Sequence, residues 1–149
     1  MFYGRAVNPT MLTAITAIAS QQSVQTAETM KRVKKFLDYC ASQDNEITDF
    51  QKSDMKLAGN IDTGYLSNPK ACSRAGGHFF VMNSSSFPPD NGVVLTVSQT
   101  IKTVMSSTVE AEFSALFINA RQAVYMRKVL KEMGHKQDQT PMQTYNSTA

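Results

Sequence analysis

Two acidic residues in unlike settings are the residues of this sequence best suited to chemistry. Asp62 stands in the strand-like stretch NIDTGYLS, and Glu112 stands early in the helix-like stretch SSTVEAEFSALF. Carboxylate oxygens are the ligands that hard cations such as Mg²⁺ prefer, and a group of carboxylates offsets the charge of the ion. If the fold brings Asp62 and Glu112 together, they would form part of a cation site.

The other residue types with reactive or metal-binding side chains are isolated. Cys40 and Cys72 are far apart in sequence and form neither a disulfide framework nor a CxxC pattern, so we expect both to be reduced packing residues. His78 and His135 have no His or Cys at ligand spacing beside them. No zinc site is predicted.

The composition sets the class of protein. A chain of 149 residues can form one domain with some extra helix, but not two full domains. No segment approaches the roughly 18 consecutive apolar residues that a membrane span needs, and the amino terminus lacks the pattern of a secretory signal. The net charge is only +3, although the segment KRVKK holds four positive charges. This segment could contact a phosphate backbone, but a solvated helix face is the favoured interpretation.

Residues 8 to about 42 have a helical pattern. Asn8 before Pro9 is a typical helix start, and the first helix is expected to end near Gln22. Thr26 can cap a second helix. The predicted apolar stripes are Met11, Leu12, Ile15, Ile18 and Ala19 in the first helix and Met30, Val33, Leu37 and Cys40 in the second. The simplest arrangement is an antiparallel helical hairpin.

From about residue 54 the apolar period changes to two. Asp62 then lies on the face opposite Leu57 and Ile61. The runs SRAGGHFFVM and GVVLTVSQTIKTVM, which flank the polar segment NSSSFPPDNG, predict two more antiparallel strands. A helix follows from about Thr108 to Met133, closed by Gly134, and TPMQTY predicts a fourth strand. The buried stripe of this helix is predicted to be Phe113, Leu116, Phe117, Ala120, Val124 and Leu130.

The two glutamates at the start of that helix have different explanations. Ser107 and Glu110 have the S-x-x-E spacing of a capping box, which accounts for Glu110. Glu112 lies about 200° further around the helix axis, away from the cap. From spacing alone it could be either an ordinary solvated glutamate or a functional residue.

The order strand, strand, strand, helix, strand, with an acid on the first strand and another in the helix, resembles the opening of the ribonuclease H fold. More specifically, the chain resembles the ribonuclease H region of a copia-type retrotransposon polyprotein together with the end of its reverse transcriptase. The segments that carry the resemblance are GRAVNPTML, MKRVKKFLDY, DTGYLSNPKACSRAGGHFF and VMSSTVEAEFSAL. It implies a helical connection segment over residues 1–48 and, over residues 49–149, an α/β ribonuclease H-like domain with a mixed sheet, truncated at its carboxyl end.

This resemblance implies hydrolysis of the RNA strand of an RNA:DNA hybrid by a two-metal mechanism with Mg²⁺ or Mn²⁺. Asp62 and Glu112 match the first two metal-binding acids of the family. The expected partners are the hybrid or another nucleic acid and the remainder of the reverse transcriptase polyprotein, in the cytoplasm or a virus-like particle and without a membrane. The candidate contacts to nucleic acid are Lys31, Lys34, Lys35 and Arg74.

Two departures from the family count against activity. Tyr145 stands where the family has its third acid, and the chain stops at Ala149, before the fourth acid of the family. We therefore expect a catalytically impaired ribonuclease H fragment. The alternatives are a weakly active hybrid nuclease and a non-catalytic module that binds nucleic acid. A reverse transcriptase proper is excluded because no paired-aspartate polymerase motif is present.

Overall fold

The computed structural model describes residues 2–43, 47–83 and 91–144. The chain divides into two compact units, Met1–Thr48 and Asp49–Ala149. Within the described ranges, no helix is both long enough and apolar enough to cross a bilayer. Both cysteines are free thiols.

The Met1–Thr48 unit is helical. Its elements are α1 (Phe2–Ala6), a 3₁₀ turn (Pro9–Met11), α2 (Leu12–Ala19) and α3 (Ala27–Ala41). Asn8 Oδ1 accepts a hydrogen bond from the Thr10 amide at 3.0 Å, which fixes the start of the 3₁₀ turn. Thr26 Oγ1 accepts from the Thr29 amide at 3.1 Å, and the Thr29 hydroxyl caps the Thr26 amide in return. Both predicted helix starts are confirmed, whereas α2 ends at Ala19 and not near Gln22.

α2 and α3 are antiparallel, because the start of one contacts the end of the other. Cys40 Sγ lies 3.6 Å from Met11 Sδ, and the Thr29 hydroxyl donates to Gln21 Oε1 at 3.1 Å. The predicted stripe of α3 is wrong at two positions, since Met30 and Leu37 are 59% and 58% exposed. The covered positions of α3 are instead Thr29, Val33, Phe36 and Cys40. A single partner helix covers only this narrow arc, which keeps Val33 and Cys40 of the predicted stripe and has Thr29 and Phe36 in place of Met30 and Leu37.

The Asp49–Ala149 unit is an α/β fold, as predicted, built on a four-stranded mixed sheet. Its strands are β1 (Lys56–Asn68), β2 (Cys72–Met82), β3 (Val93–Ile101) and β4 (Met142–Thr144), in the spatial order β3-β2-β1-β4. β2 pairs antiparallel with both β1 and β3, and β4 pairs with β1 in parallel. The helix α4 (Thr108–Glu132) connects β3 to β4.

The core of this unit lies between α4 and one face of the sheet. The strand register pairs Ile61 with Gly77 and Asp62 with Gly76. Odd-numbered residues of β1 and β2 therefore share the face that α4 covers. The buried residues of this face and of the helix form two adjoining clusters, which include Leu57, Ile61, Ala75, Phe79, Val81, Ala111, Ala115, Ala123 and Leu130.

The predicted buried stripe of α4 is wrong in its largest members. Phe113, Phe117 and Val124 are 59%, 64% and 65% exposed, whereas Leu130 is buried as expected. The face against the sheet consists mainly of small residues, Ala111, Ala115, Asn119 and Ala123. The reason is close approach: a Cβ atom at Gly77 of β2 would overlap the Asn119 side chain. Large aromatic residues cannot occupy a helix face that lies this near to the sheet.

Candidate carboxylate site

Asp62 lies on the open face of the sheet. It is exposed, while its neighbour Ile61 is fully buried, so the predicted orientation of this part of β1 is confirmed. Asp62 Oδ1 accepts a hydrogen bond from the Thr63 amide at 2.8 Å. The carboxylate is thus held on a strand and remains accessible to solvent.

Glu112 lies in the second turn of α4 and is only 7% exposed. Of the two interpretations that the sequence left open, the structure rejects the solvated glutamate. Its Oε2 atom is buried and has no hydrogen-bond partner among the described residues. A buried charged oxygen without a partner is costly, so it marks a position where a ligand, an ion or ordered water would be stabilising.

The structure brings Asp62 and Glu112 within electrostatic range of each other. Burial is the largest cause that raises the pKa of Glu112, and the negative charge of Asp62 raises it further. A proton on one carboxyl, or a cation bound by both, would relieve the repulsion between the two negative charges. The sequence placed these two acids on different elements, and the fold brings them close enough for the charge of Asp62 to act on Glu112.

Thr63 is a member of this site that the sequence did not reveal. It follows Asp62 on β1 and therefore turns to the face that α4 covers. Its buried hydroxyl lies close enough to Glu112 to oppose, in part, the rise in the pKa of that carboxyl, although the two groups do not form a hydrogen bond of good geometry. The alternation along β1 was the signal that could have identified it.

Glu110 is separate from this site. Its Oε2 accepts hydrogen bonds from the amide and the hydroxyl of Ser106, both at 2.7 Å. The hydrogen bond from the amide is the largest cause that lowers the pKa of this exposed carboxyl. Ser107 Oγ accepts from the Glu110 amide at 3.1 Å. The capping role is confirmed, with the correction that the glutamate reaches back to Ser106 and not to Ser107.

A complete two-metal site needs more carboxylates than this. Within residues 2–43, 47–83 and 91–144, no group of three or more His, Cys, Asp and Glu side chains could hold a metal ion. Tyr145, the predicted occupant of the third acidic position, lies outside the described residues, although Thr144 before it pairs with Ile61 in β1. Carboxylate oxygens such as those of Asp62 and Glu112 are the donors that hard divalent cations prefer, and Glu112 Oε2 has no hydrogen-bond partner among the described residues.

The candidate contacts to nucleic acid lie in both units. Lys31, Lys34 and Lys35 are exposed on α3 of the Met1–Thr48 unit. Arg74 lies on β2, on the same sheet face as Asp62, and donates to Asn68 Oδ1 at 2.8 Å and to Ser98 Oγ at 3.1 Å. Its partial burial lowers the pKa of the guanidinium from its usual value. Arg74 is therefore held in one orientation, whereas the lysines project into solvent.

Comparisons with protein-family models, with curated proteins and with solved structures found no match to this chain.

Proposed function

We propose that the Asp49–Ala149 unit is a ribonuclease H-like domain of the retrotransposon type whose hydrolytic site is impaired. The observation that carries the proposal is Glu112, a buried glutamate with an unpartnered oxygen, placed within electrostatic range of Asp62. The order β3-β2-β1-β4, with three antiparallel strands and a parallel fourth strand after α4, supports it.

Asp62 and Glu112 are the residues that would hold a divalent cation. When bound, Mg²⁺ or Mn²⁺ would supply charge stabilisation to the phosphate of an RNA:DNA hybrid. Asp62 would contribute an exposed carboxylate to the ion and Glu112 a buried one. The expected substrate is recognised through its backbone and 2′-hydroxyls and not through its sequence.

The identity of residue 145 supports an impaired site. A tyrosine is neutral at pH 7, since its ordinary pKa is near 10, and it is larger than an aspartate. In the family pattern it removes one of the negative charges that balance the metal ions. With two carboxylates in place of the family's larger set, one cation is bound more readily than two.

The test is cleavage of a labelled RNA:DNA hybrid by the full chain in Mg²⁺ or Mn²⁺. We expect little or no cleavage by the protein as it stands, and a gain of cleavage in the Tyr145→Asp variant. That gain should disappear when Asp62→Asn or Glu112→Gln is added. Glu110→Gln is the matched control, because it removes a carboxylate from the same helix outside the site.

Each result distinguishes between the alternatives. Cleavage by the unmodified chain that is lost in Asp62→Asn would show a working nuclease and contradict the impairment. Cleavage that persists in Asp62→Asn would indicate a contaminating enzyme. No gain in Tyr145→Asp, in a variant that still binds Mn²⁺, would contradict the assignment of the third position.

A second function, binding of nucleic acid without cleavage, is favoured by α3. Its lysines, Lys31, Lys34 and Lys35, are exposed, and no ion pair within the described ranges is formed by any of them. Binding through them should weaken steeply as salt increases. In a plot of log affinity against log salt concentration, the double variant Lys34→Gln and Lys35→Gln should reduce the magnitude of the slope by about 2. Lys52→Gln should leave the slope unchanged. Affinity that does not depend on salt would remove this function.

A further inference from the structure

The outer face of α4 has an unusual composition for a helix that already packs on a sheet. The side against the sheet consists of small residues, whereas Phe113, Phe117 and Val124 point outward and are more than half exposed. At 100° per residue, these three lie within about 40° of one another and about 160° from the face of Ala115 and Asn119. The helix therefore carries two opposite packing faces, of which the sheet covers one.

The outward face is symmetric along the helix. Residues 110, 113 and 117 lie as far before the midpoint between residues 120 and 121 as residues 131, 128 and 124 lie after it. All six lie within an arc of about 60°. They are Glu110, Phe113, Phe117, Val124, Lys128 and Lys131, which we call the outer seam. A face with this spacing is self-complementary when a second copy is placed antiparallel across a two-fold axis.

The charges of the outer seam select this antiparallel orientation. The acid Glu110 is at one end and the base Lys131 is at the other, both exposed. The contacts of Glu110 with Ser106 lower its pKa, so it remains negatively charged at neutral pH. Antiparallel pairing sets Glu110 of one copy opposite Lys131 of the other, twice, and opposes the two helix dipoles. Parallel pairing would set like charges opposite each other.

The middle of the outer seam is apolar. In the antiparallel register Phe117 faces Val124 of the second copy, and Phe113 faces the aliphatic stem of Lys128. Ala120 lies next to the midpoint and is small enough for two helices to approach. Ala120 and Arg121 lie at opposite edges of the seam, each about 50° from its middle. The Arg121 guanidinium lies over the Phe117 ring of the same chain, 6.0 Å from the centroid. There it can stay hydrated beside the contact.

We propose that the outer seam of α4 is an isologous interface through which two copies of this chain pair antiparallel. The occupant is a second copy because the spacing of the seam matches its own reversal and the charges at its two ends are opposite. The interface uses the side of α4 away from the sheet and leaves Asp62 on the open sheet face. Pairing is thus a property of the chain distinct from the carboxylate site.

The first test is the mass of the full chain by sedimentation equilibrium over a range of concentrations. We expect a monomer–dimer equilibrium. Phe117→Glu and Lys131→Glu should each raise the dissociation constant of the dimer at least tenfold. Tyr125→Glu is the matched control, because Tyr125 is 61% exposed on the same helix but lies outside the outer seam. A monomer at all concentrations, or equal effects of Phe117→Glu and Tyr125→Glu, would overturn the proposal.

The second test reports orientation by disulfide cross-linking, in a background with Cys40→Ser and Cys72→Ser. Ala120→Cys lies beside the two-fold axis and should form a cross-linked dimer on mild oxidation. Lys128→Cys should not, because the two copies of that position would be about 22 Å apart along the axis. Cross-linking at both positions would indicate parallel pairing and would overturn the antiparallel interface. Circular dichroism of each variant verifies that α4 is still formed.

Discussion

Within the described residues, buried polar side-chain atoms without a hydrogen-bond partner occur in one of the two units and not in the other. Among the described residues of the Met1–Thr48 unit, the buried polar ones are Asn8 and Thr29, and both act in helix caps. In the Asp49–Ala149 unit, five buried polar atoms have no hydrogen-bond partner within the described residues. They belong to Asn60, Thr63, Glu112, Asn119 and Thr140.

This difference supports the proposed position of the candidate site. A buried polar atom without a partner costs roughly 1–3 kcal/mol, so a fold retains it where water or a ligand supplies the missing contact. Glu112 and Thr63 are adjacent members of this set, and they lie beside Asp62. The proposed site therefore lies in the unit that contains the unpartnered polar atoms.

The largest expected effect tests the core of the sheet unit against the helical hairpin. Phe79→Ala removes a fully buried ring from β2 and should lower the free energy of unfolding of its unit by about 3–5 kcal/mol. Leu37→Ala, on the exposed side of α3, should cost less than about 1 kcal/mol. Hydrogen exchange measured by mass spectrometry resolves the two units separately. Comparable losses in both would mean that Leu37 is buried and would break the comparison.

A second variant tests the close approach of α4 to the sheet. Gly77→Ala places a methyl group against Asn119 and should cost about 1–3 kcal/mol by overpacking. The double variant with Asn119→Ala should recover part of that loss, because it removes the overlapping group. Urea denaturation of the single and double variants measures the coupling.

The matched control for this pair is Gly134→Ala. Gly134 has a φ of 92° and open space around it, so its substitution is strained by the backbone alone. Asn119→Ala should not rescue it. Rescue of both glycine variants would show a general stabilisation in place of a specific contact.

Much of the secondary structure could be predicted, because caps and alternation are local signals. Asn8, Thr26 and Ser107 begin their elements as predicted, and β1 to β4 occur in the predicted order. The buried faces of α3 and α4 could not be predicted as well. α4 has two apolar arcs, and periodicity favours the arc with the larger residues. The arc that packs is decided by the glycine in the opposing strand, which is a tertiary feature.

The candidate site shows the same division. Asp62 and Glu112 were identified from their types and from a family resemblance, and the structure adds that Glu112 is buried and close to Asp62. Thr63 was missed, since it has neither a charge nor a motif. The small residues at positions 111, 115, 119 and 123, together with Gly76 and Gly77, were the signal for a helix packed tightly on a strand.

A third prediction compares one helix cap from each unit. Thr26→Ala and Ser107→Ala each remove a hydroxyl that accepts a hydrogen bond from a free backbone amide in the first turn of a helix, α3 and α4 respectively. Each should cost about 1 kcal/mol. Since capping is local, we expect similar losses in the two units, measured by amide exchange in the first turn of each helix. A loss confined to Ser107→Ala would mean that α3 does not depend on its cap.

The smallest expected effect concerns pH, and it belongs to the sheet unit alone. The helical unit has no buried carboxylate among its described residues, whereas Glu112 is buried beside Asp62. Because the pKa of Glu112 in the folded state is raised above its ordinary value of 4.5, the folded state holds its proton at a pH where the unfolded chain has lost it. The contribution of Glu112 to stability is therefore complete below pH 4.5 and is lost as pH rises through the raised pKa.

Glu112→Gln should remove this loss, so its unfolding free energy should fall less between pH 4.5 and 7 than that of the unmodified chain. Asp62→Asn removes only the second cause of the shift and should have a smaller effect in the same direction. Mg²⁺ at pH 7 should stabilise the unmodified chain and not Glu112→Gln, because the cation would replace the proton as the partner of the buried oxygen. Identical pH dependence in the unmodified chain and in Glu112→Gln would show that the carboxyl is solvated, and the contrast between the two units would then lose its main support.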